Sequence, residues 1–212
     1  MSELITLTSD SNSIQHLCKD KRMAKLISIL GPISYTLSKD SYSFLVNTII
    51  GQMLSNKVAD ILSSRLITLC GDFVCPDTIG SLTDEAIQNI GISKSKVSYI
   101  RNLTEAIQSG TISFSEFPHL QDGEIIKKLT SLRGIGNWSA KMYLIFALDR
   151  QDVLPVEDAA FLQGYSWLYN TADLKPASLA TACEGWKPYS SIAARYLYQA
   201  VDKGLTKEVF YL

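Results

Sequence analysis

Residues 132–140 read LRGIGNWSA, with glycines at 134 and 136 set between two apolar segments. Glycine reaches backbone angles closed to other residues, so two of them this close predict a sharp turn whose amides can come near another surface. The segment before the turn, GEIIKKLTSL, is amphipathic, and the one after it, NWSAKMYLIFAL, is apolar almost all round. A helix of the second kind is buried, which leaves its amino-terminal end as the part able to act. The first amides of a helix lack intrahelical acceptors and carry partial positive charge. Gly134, Ile135, Gly136 and Trp138 therefore form a candidate phosphate site, although the same stretch also suits a plain connection between packed helices.

Outward from this turn, apolar residues recur at helical spacing through most of the chain. Helices are expected near Lys21 (KRMAKLISIL, stopped by Gly31-Pro32), Tyr42 (YSFLVNTIIGQ), Ser55 (SNKVADILSSRLITL), Thr83 (TDEAIQNI) and Ser93 (SKSKVSYIRNLTEAIQ). Others are expected over EDAAFLQGYSWLY, near Pro176 to Cys183, and over YSSIAARYLYQAVDKG. Ser, Thr and Asp at the starts and Gly or Pro at the stops set these boundaries. The β-branched clusters are too short and unpaired for a convincing sheet, so the class is all-α. About ten helices are expected to form two lobes with a cleft between them, and such clefts commonly hold ligands.

The chain has 212 residues and is 46% hydrophobic, ample for a buried core. Its formal net charge of −1 argues against a non-specific coat for nucleic acid, so any basic contact surface is local. Cys18, Cys70, Cys75 and Cys183 are scattered, without the paired spacing of a zinc or iron–sulfur site. No stretch approaches the roughly 20 apolar residues that span a bilayer, and MSELITLTSDSNSIQHLCKD contains no apolar run flanked by positive charge. A soluble intracellular monomer is expected.

Asp158 stands just before AAFL in DVLPVEDAAFLQG, twenty positions beyond Trp138. An aspartate there is a natural N-cap. Capping does not exclude chemistry, because a helix amino terminus favours the ionised carboxylate.

Taken together, Leu132, Gly134, Gly136, Pro155 and Asp158 resemble the helix-hairpin-helix (HhH-GPD) DNA glycosylase superfamily, in which the hairpin is followed at similar distance by a proline-containing segment and a catalytic aspartate. The resemblance is to its alkylated-base branch, 3-methyladenine DNA glycosylase II, and runs from about residue 26 to about 201. FLVNTIIGQMLSNKVA looks like that branch's IxxQQxSxxxA, with Met53 where a second glutamine is usual. GISKSKVSYIRNL looks like GxSxxKxxYI, and GWKPYSSIAARYLY like WxPxRSxAxxYLW, with Tyr189 and Ser190 replacing Trp or Tyr and Arg.

The resemblance implies one glycosylase core over residues 1–212, without the additional amino-terminal sheet domain of larger relatives. It implies excision of alkylated purines from double-stranded DNA by hydrolysis of the N-glycosidic bond. Asp158 would be the catalytic acid, with Glu157 as the fallback. Backbone carbonyls of Thr130, Leu132 and Ile135 would hold a Na+ or K+ at the hairpin; no other cofactor and no iron–sulfur cluster is implied. Bifunctional members carry a lysine nucleophile where this chain has Trp138, so lyase chemistry is not expected, and Lys141 lies almost a turn away.

A base made cationic by alkylation suits electron-rich rings. Trp138 and Tyr198 stand where the resembling enzymes place pocket aromatics, although both also suit core packing. Gln52 is a base contact or an amide tying two helices; Phe44 and Tyr42 rank lower, and Met142 replaces an aromatic found in some relatives. Lys94, Lys96, Lys187 and Tyr189 are candidate phosphate contacts, and Met53-Leu54 is the candidate wedge that fills the vacated stack. His16 and His119 receive no role. Two other readings remain open, a non-catalytic helix-hairpin-helix DNA-binding protein and a bifunctional glycosylase-lyase for oxidised bases.

Overall fold

A computed structural model describes residues 4–212. From the amino terminus the elements are β1 (Leu4–Leu7), α1 (Asn12–Leu17), α2 (Lys21–Leu30), β2 (Ile33–Thr36), α3 (Ser41–Gly51), α4 (Asn56–Leu69), α5 (Pro76–Ser81), α6 (Asp84–Asn89) and α7 (Lys94–Gln108). They continue with α8 (Asp122–Thr130), α9 (Asn137–Phe146), α10 (Ala159–Tyr169), α11 (Pro176–Ala182) and α12 (Ser190–Asp202). The elements divide between two compact units, one combining the segment that ends at Leu37 with Asp149–Leu212, the other formed by Ser38–Leu148. No helix among the described residues is long and apolar enough to cross a membrane.

The helix starts follow their caps. Asp20 accepts from the amides of Arg22 and Met23, and Asp40 from those of Tyr42 and Ser43. Thr83 and Ser93 cap α6 and α7 in the same way, each cap stabilising its helix by about 1 kcal/mol. Gly31 ends α2 in left-handed backbone.

In the first unit β1 and β2 pair antiparallel, with Leu7 opposite Ile33. This ribbon is an addition to the helical architecture that the sequence led us to expect. The core gathers Met23, Leu26, Phe161, Leu168 and Leu197 around Trp186, whose ring meets Phe161 edge-on at 6.3 Å. A Cβ at Gly164 would lie 2.9 Å from that of Leu197, so glycine is what lets α10 approach α12. In the second unit Leu45, Ile49, Ile100 and Leu103 are fully buried, each contributing about 2 kcal/mol. Helix α9 buries four consecutive residues, Met142 to Ile145, as its all-round apolar character requires.

Candidate functional site

The turn between α8 and α9 contains two glycines with different duties. Gly134 has φ +103°, and a Cβ there would lie 2.1 Å from Cγ of Tyr99, so both conformation and space demand glycine. Gly136 has φ −98°, open to any residue, and a Cβ there would meet nothing within 4 Å. The expectation that both glycines serve unusual backbone angles thus holds for Gly134 alone. At Gly136 the missing side chain keeps the approach to the first turn of α9 clear. The N-cap residue of that helix is Gly136, which has no side chain to accept from the first amides. Buried Ile135 anchors the turn from below, its amide donating to the Leu132 carbonyl at 3.1 Å. That carbonyl keeps a second lone pair, so the bond does not bar a cation at Thr130, Leu132 and Ile135.

Gln52 follows the last residue of α3, and its side chain turns toward the hairpin. Its amide nitrogen donates to the Gly134 carbonyl at 2.8 Å and to Oγ of Ser139 at 3.2 Å, so it ties α3 to the hairpin. Met53 comes next, fully exposed and at φ +57°. A left-handed methionine costs on the order of 1–3 kcal/mol, and such strain tends to collect at functional positions. Leu54 beside it is exposed as well.

Two expectations are corrected in this unit. Lys96 is not a surface charge awaiting phosphate: it is half-buried, and its ammonium donates to the Ile50 and Gln52 carbonyls at 2.8 Å each. Desolvation lowers its pKa. Tyr42 is not a pocket ring: it is buried in the core, and its hydroxyl donates to Oγ1 of Thr104 at 2.7 Å because Thr104 spends its own proton on the Ile100 carbonyl. Burial pushes the Tyr42 phenol up to about 12. Phe44 is half-buried, edge-on to Tyr143 at 6.0 Å; Trp138 is half-buried in the first turn of α9, and Lys94 is exposed. Sequence reasoning missed Tyr99, Ser139 and Asn102, the last donating to the Arg133 carbonyl on the hairpin at 3.2 Å. Their relevance rests on contacts with residues 31 or more positions away.

In the other unit, Asp158 closes a turn on Pro155, its amide donating to the Pro155 carbonyl at 2.9 Å, and then caps α10. Its Oδ1 accepts from the Phe161 amide at 2.8 Å, and the residue is only 8% exposed. Glu157 is exposed, where water screens its charge. Tyr198 on α12 lies beside Asp158. Burial first, and then the Asp158 carboxylate, raise its phenol well above the ordinary value, so it keeps its proton at neutral pH. One turn earlier, buried Arg195 lies over the Tyr35 ring at 3.6 Å and pairs with Asp149 at 3.6 Å, while Tyr35 donates to Asp149 at 3.0 Å. This cluster gave no sequence signal, its members being far apart in the chain. Lys187 is exposed and paired with Glu184 at 3.0 Å, a surface contact worth at most about 1 kcal/mol that a phosphate can displace. Tyr189 turns its ring onto His16, 5.5 Å away.

Residues 46–188 match the HhH-GPD superfamily of base excision DNA repair proteins. The chain is 30% identical over 183 residues to DNA-3-methyladenine glycosylase 1 of Schizosaccharomyces pombe, covering 84% of this chain and 80% of that one. It is 29% identical to the putative DNA-3-methyladenine glycosylase YfjP of Bacillus subtilis, covering 95% and 74%. Among solved structures, a DNA-3-methyladenine glycosidase from Bacillus halodurans superposes with TM-score 0.85 at 32% identity, covering 97% of this chain and 95% of that one. A 3-methyladenine DNA glycosylase of S. pombe in complex with abasic DNA superposes with TM-score 0.80 at 27% identity, covering 91% and 97%.

Proposed function

The chain belongs to the HhH-GPD superfamily of base excision DNA repair proteins, and from that premise we propose that it is a monofunctional DNA glycosylase excising alkylated purines of the 3-methyladenine type from duplex DNA. The observation that carries this reading is Asp158, a carboxylate held almost out of water at the amino terminus of α10. The names of the relatives and the abasic DNA bound to one of them support it.

Breaking the bond between C1′ and the base nitrogen sends the electron pair to the base and leaves positive charge on the sugar. An anion about 4 Å away, at an effective dielectric of about 20, stabilises that charge by roughly 4 kcal/mol, about a thousandfold in rate. Water then adds to C1′ and Asp158 takes its proton, giving free base and an abasic site. Alkylation makes the base a good leaving group, so one carboxylate suffices. The cap bond to Phe161 orients the carboxylate, and Tyr198 stays protonated beside it as a hydrogen-bond donor rather than a second anion.

At the hairpin, the open side of Gly136 at the positive amino-terminal end of α9 suits a phosphodiester. A monovalent cation on the carbonyls of Thr130, Leu132 and Ile135 would add positive charge there. Exposed Met53, with Leu54, is the wedge that fills the stack left by the flipped base, and Trp138 and Phe44 are the candidate ring contacts for that base. Trp138 occupies the place of the lyase lysine, so no Schiff base forms.

Chromatography of bases released from methylated duplex DNA, wild type beside Asp158→Asn, tests the reading. Wild type is expected to release 3-methyladenine and the variant to bind duplex without releasing it. Absence of release by wild type would leave only a DNA-binding scaffold, and a covalent adduct trapped by borohydride would indicate a lyase.

A further inference from the structure

A helix leaves its last carbonyls without intrahelical donors, and its carboxyl end carries partial negative charge. At the end of α3 that need is met from another helix. Lys96 sits in the first turn of α7, where its own amide is held by Oγ of Ser93 at 3.4 Å, and its ammonium reaches the Ile50 and Gln52 carbonyls at 2.8 Å each. Two of its three protons are therefore directed at the main chain. From the same turn, the Gln52 side chain reaches the hairpin at Gly134 and Ser139. The Leu54 amide closes the turn on the Gly51 carbonyl at 3.1 Å. Between these fixed points lies Met53, left-handed and fully exposed.

An apolar side chain in solvent, on a backbone conformation that methionine disfavours, does not hold itself there. Something must over-determine the turn. The ammonium does so at the carbonyls flanking Met53 on its amino-terminal side, and the Gln52 bonds do so at the hairpin. We propose that Lys96 is a positioning residue for base eversion: it clamps residues 50–54 so that Met53 is presented as a preformed wedge, coupled through Gln52 to the phosphate-binding hairpin. This inference rests on the glycosylase reading above. A wedge ordered before contact loses less entropy on insertion than one that must be ordered by the DNA.

The test uses the full chain with Lys96→Met, Lys96→Arg, Met53→Ala and the Lys96→Met/Met53→Ala double variant. In the free protein, hydrogen exchange at the Leu54 amide reports the clamp directly. Lys96→Met is expected to speed it at least tenfold, and Lys96→Arg, which keeps charge and donors, by less. On methylated duplex, Lys96→Met is expected to slow single-turnover base release about tenfold with affinity for undamaged duplex unchanged. The double variant should be no slower than Met53→Ala alone, since both act through one wedge. Unchanged Leu54 exchange, or a loss of affinity for undamaged duplex with a shallower salt dependence, would overturn the inference and make Lys96 a phosphate contact. Additive slowing in the double variant would overturn it too. If Lys96→Met does not fold, Lys96→Arg carries the same comparison against Met53→Ala. A wild-type protein that releases no methylated base overturns the glycosylase reading and this inference with it, and does so before any substitution is made; failure of this inference alone leaves wild-type release intact.

Discussion

Asp158→Asn separates the two duties that one carboxylate performs. Asparagine is as good an N-cap as aspartate, and its oxygen can still accept the Phe161 amide that Oδ1 accepts at 2.8 Å. What the fold loses is the attraction between a charge and the amino terminus of α10, about 0.3–1 kcal/mol. For a chain of this size that is at most a few degrees in Tm. The chemistry loses the anion itself. Asp158 is 8% exposed, so water does little to screen it, and the Coulomb term of about 4 kcal/mol translates to about a thousandfold in release rate. The assay is single-turnover release of 3-methyladenine with enzyme in excess, alongside a melting curve and duplex binding. A spectroscopic control comes from Tyr198: with the neighbouring carboxylate neutralised, its phenol ionises at lower pH than in wild type, followed at the phenolate absorbance. Release within about tenfold of wild type by a folded variant would refute the reasoning, since no buried carboxylate would then be stabilising the sugar cation.

The two hairpin glycines are expected to respond oppositely. Gly134→Ala forces a Cβ to 2.1 Å from Tyr99 at φ +103°, and should destabilise the protein by about 3 kcal/mol or more, read by denaturant melting. Gly136→Ala should leave stability within about 0.5 kcal/mol while weakening duplex affinity, because its methyl occupies only the open approach to α9. Met53→Gly should stabilise the fold by up to about 1 kcal/mol by relieving the left-handed methionine, yet slow base release; equal loss of both would argue against a wedge. Burial raises the Asp149 carboxyl above its ordinary value, only partly offset by Tyr35 and Arg195. The folded state thus binds that proton more tightly than the unfolded one, and the stability it contributes at low pH is lost as pH rises through the raised value. A carboxyl carbon titration by NMR should find that raised midpoint, and Asp149→Asn should remove its part of the slope in Tm against pH.

The positions of the longer helices were legible in the sequence because what sets them is local. Gly31 stops α2, Ser93 starts α7, and the unbroken apolar run of α9 can only be an interior helix. Among the short helices, α6 was announced by Thr83 at its start, whereas α1 and α5, equally short, show no period and escaped notice; the ribbon escaped because Leu7 and Ile33 meet across the whole of α1 and α2. The candidate site divides in the same way. Asp158 and the Gly134 turn were readable, since a cap and a left-handed glycine are matters of a few neighbouring residues. Whether Tyr42 is a core ring, whether Lys96 reaches solvent or the end of α3, and what Gln52 holds were decided by partners 44 to 87 positions away. A stretch of chain carries its own backbone preferences and its own chemistry, but the direction a long polar side chain takes depends on which unpaired carbonyl or hydroxyl the packing brings within 3 Å, and that only the tertiary structure supplies.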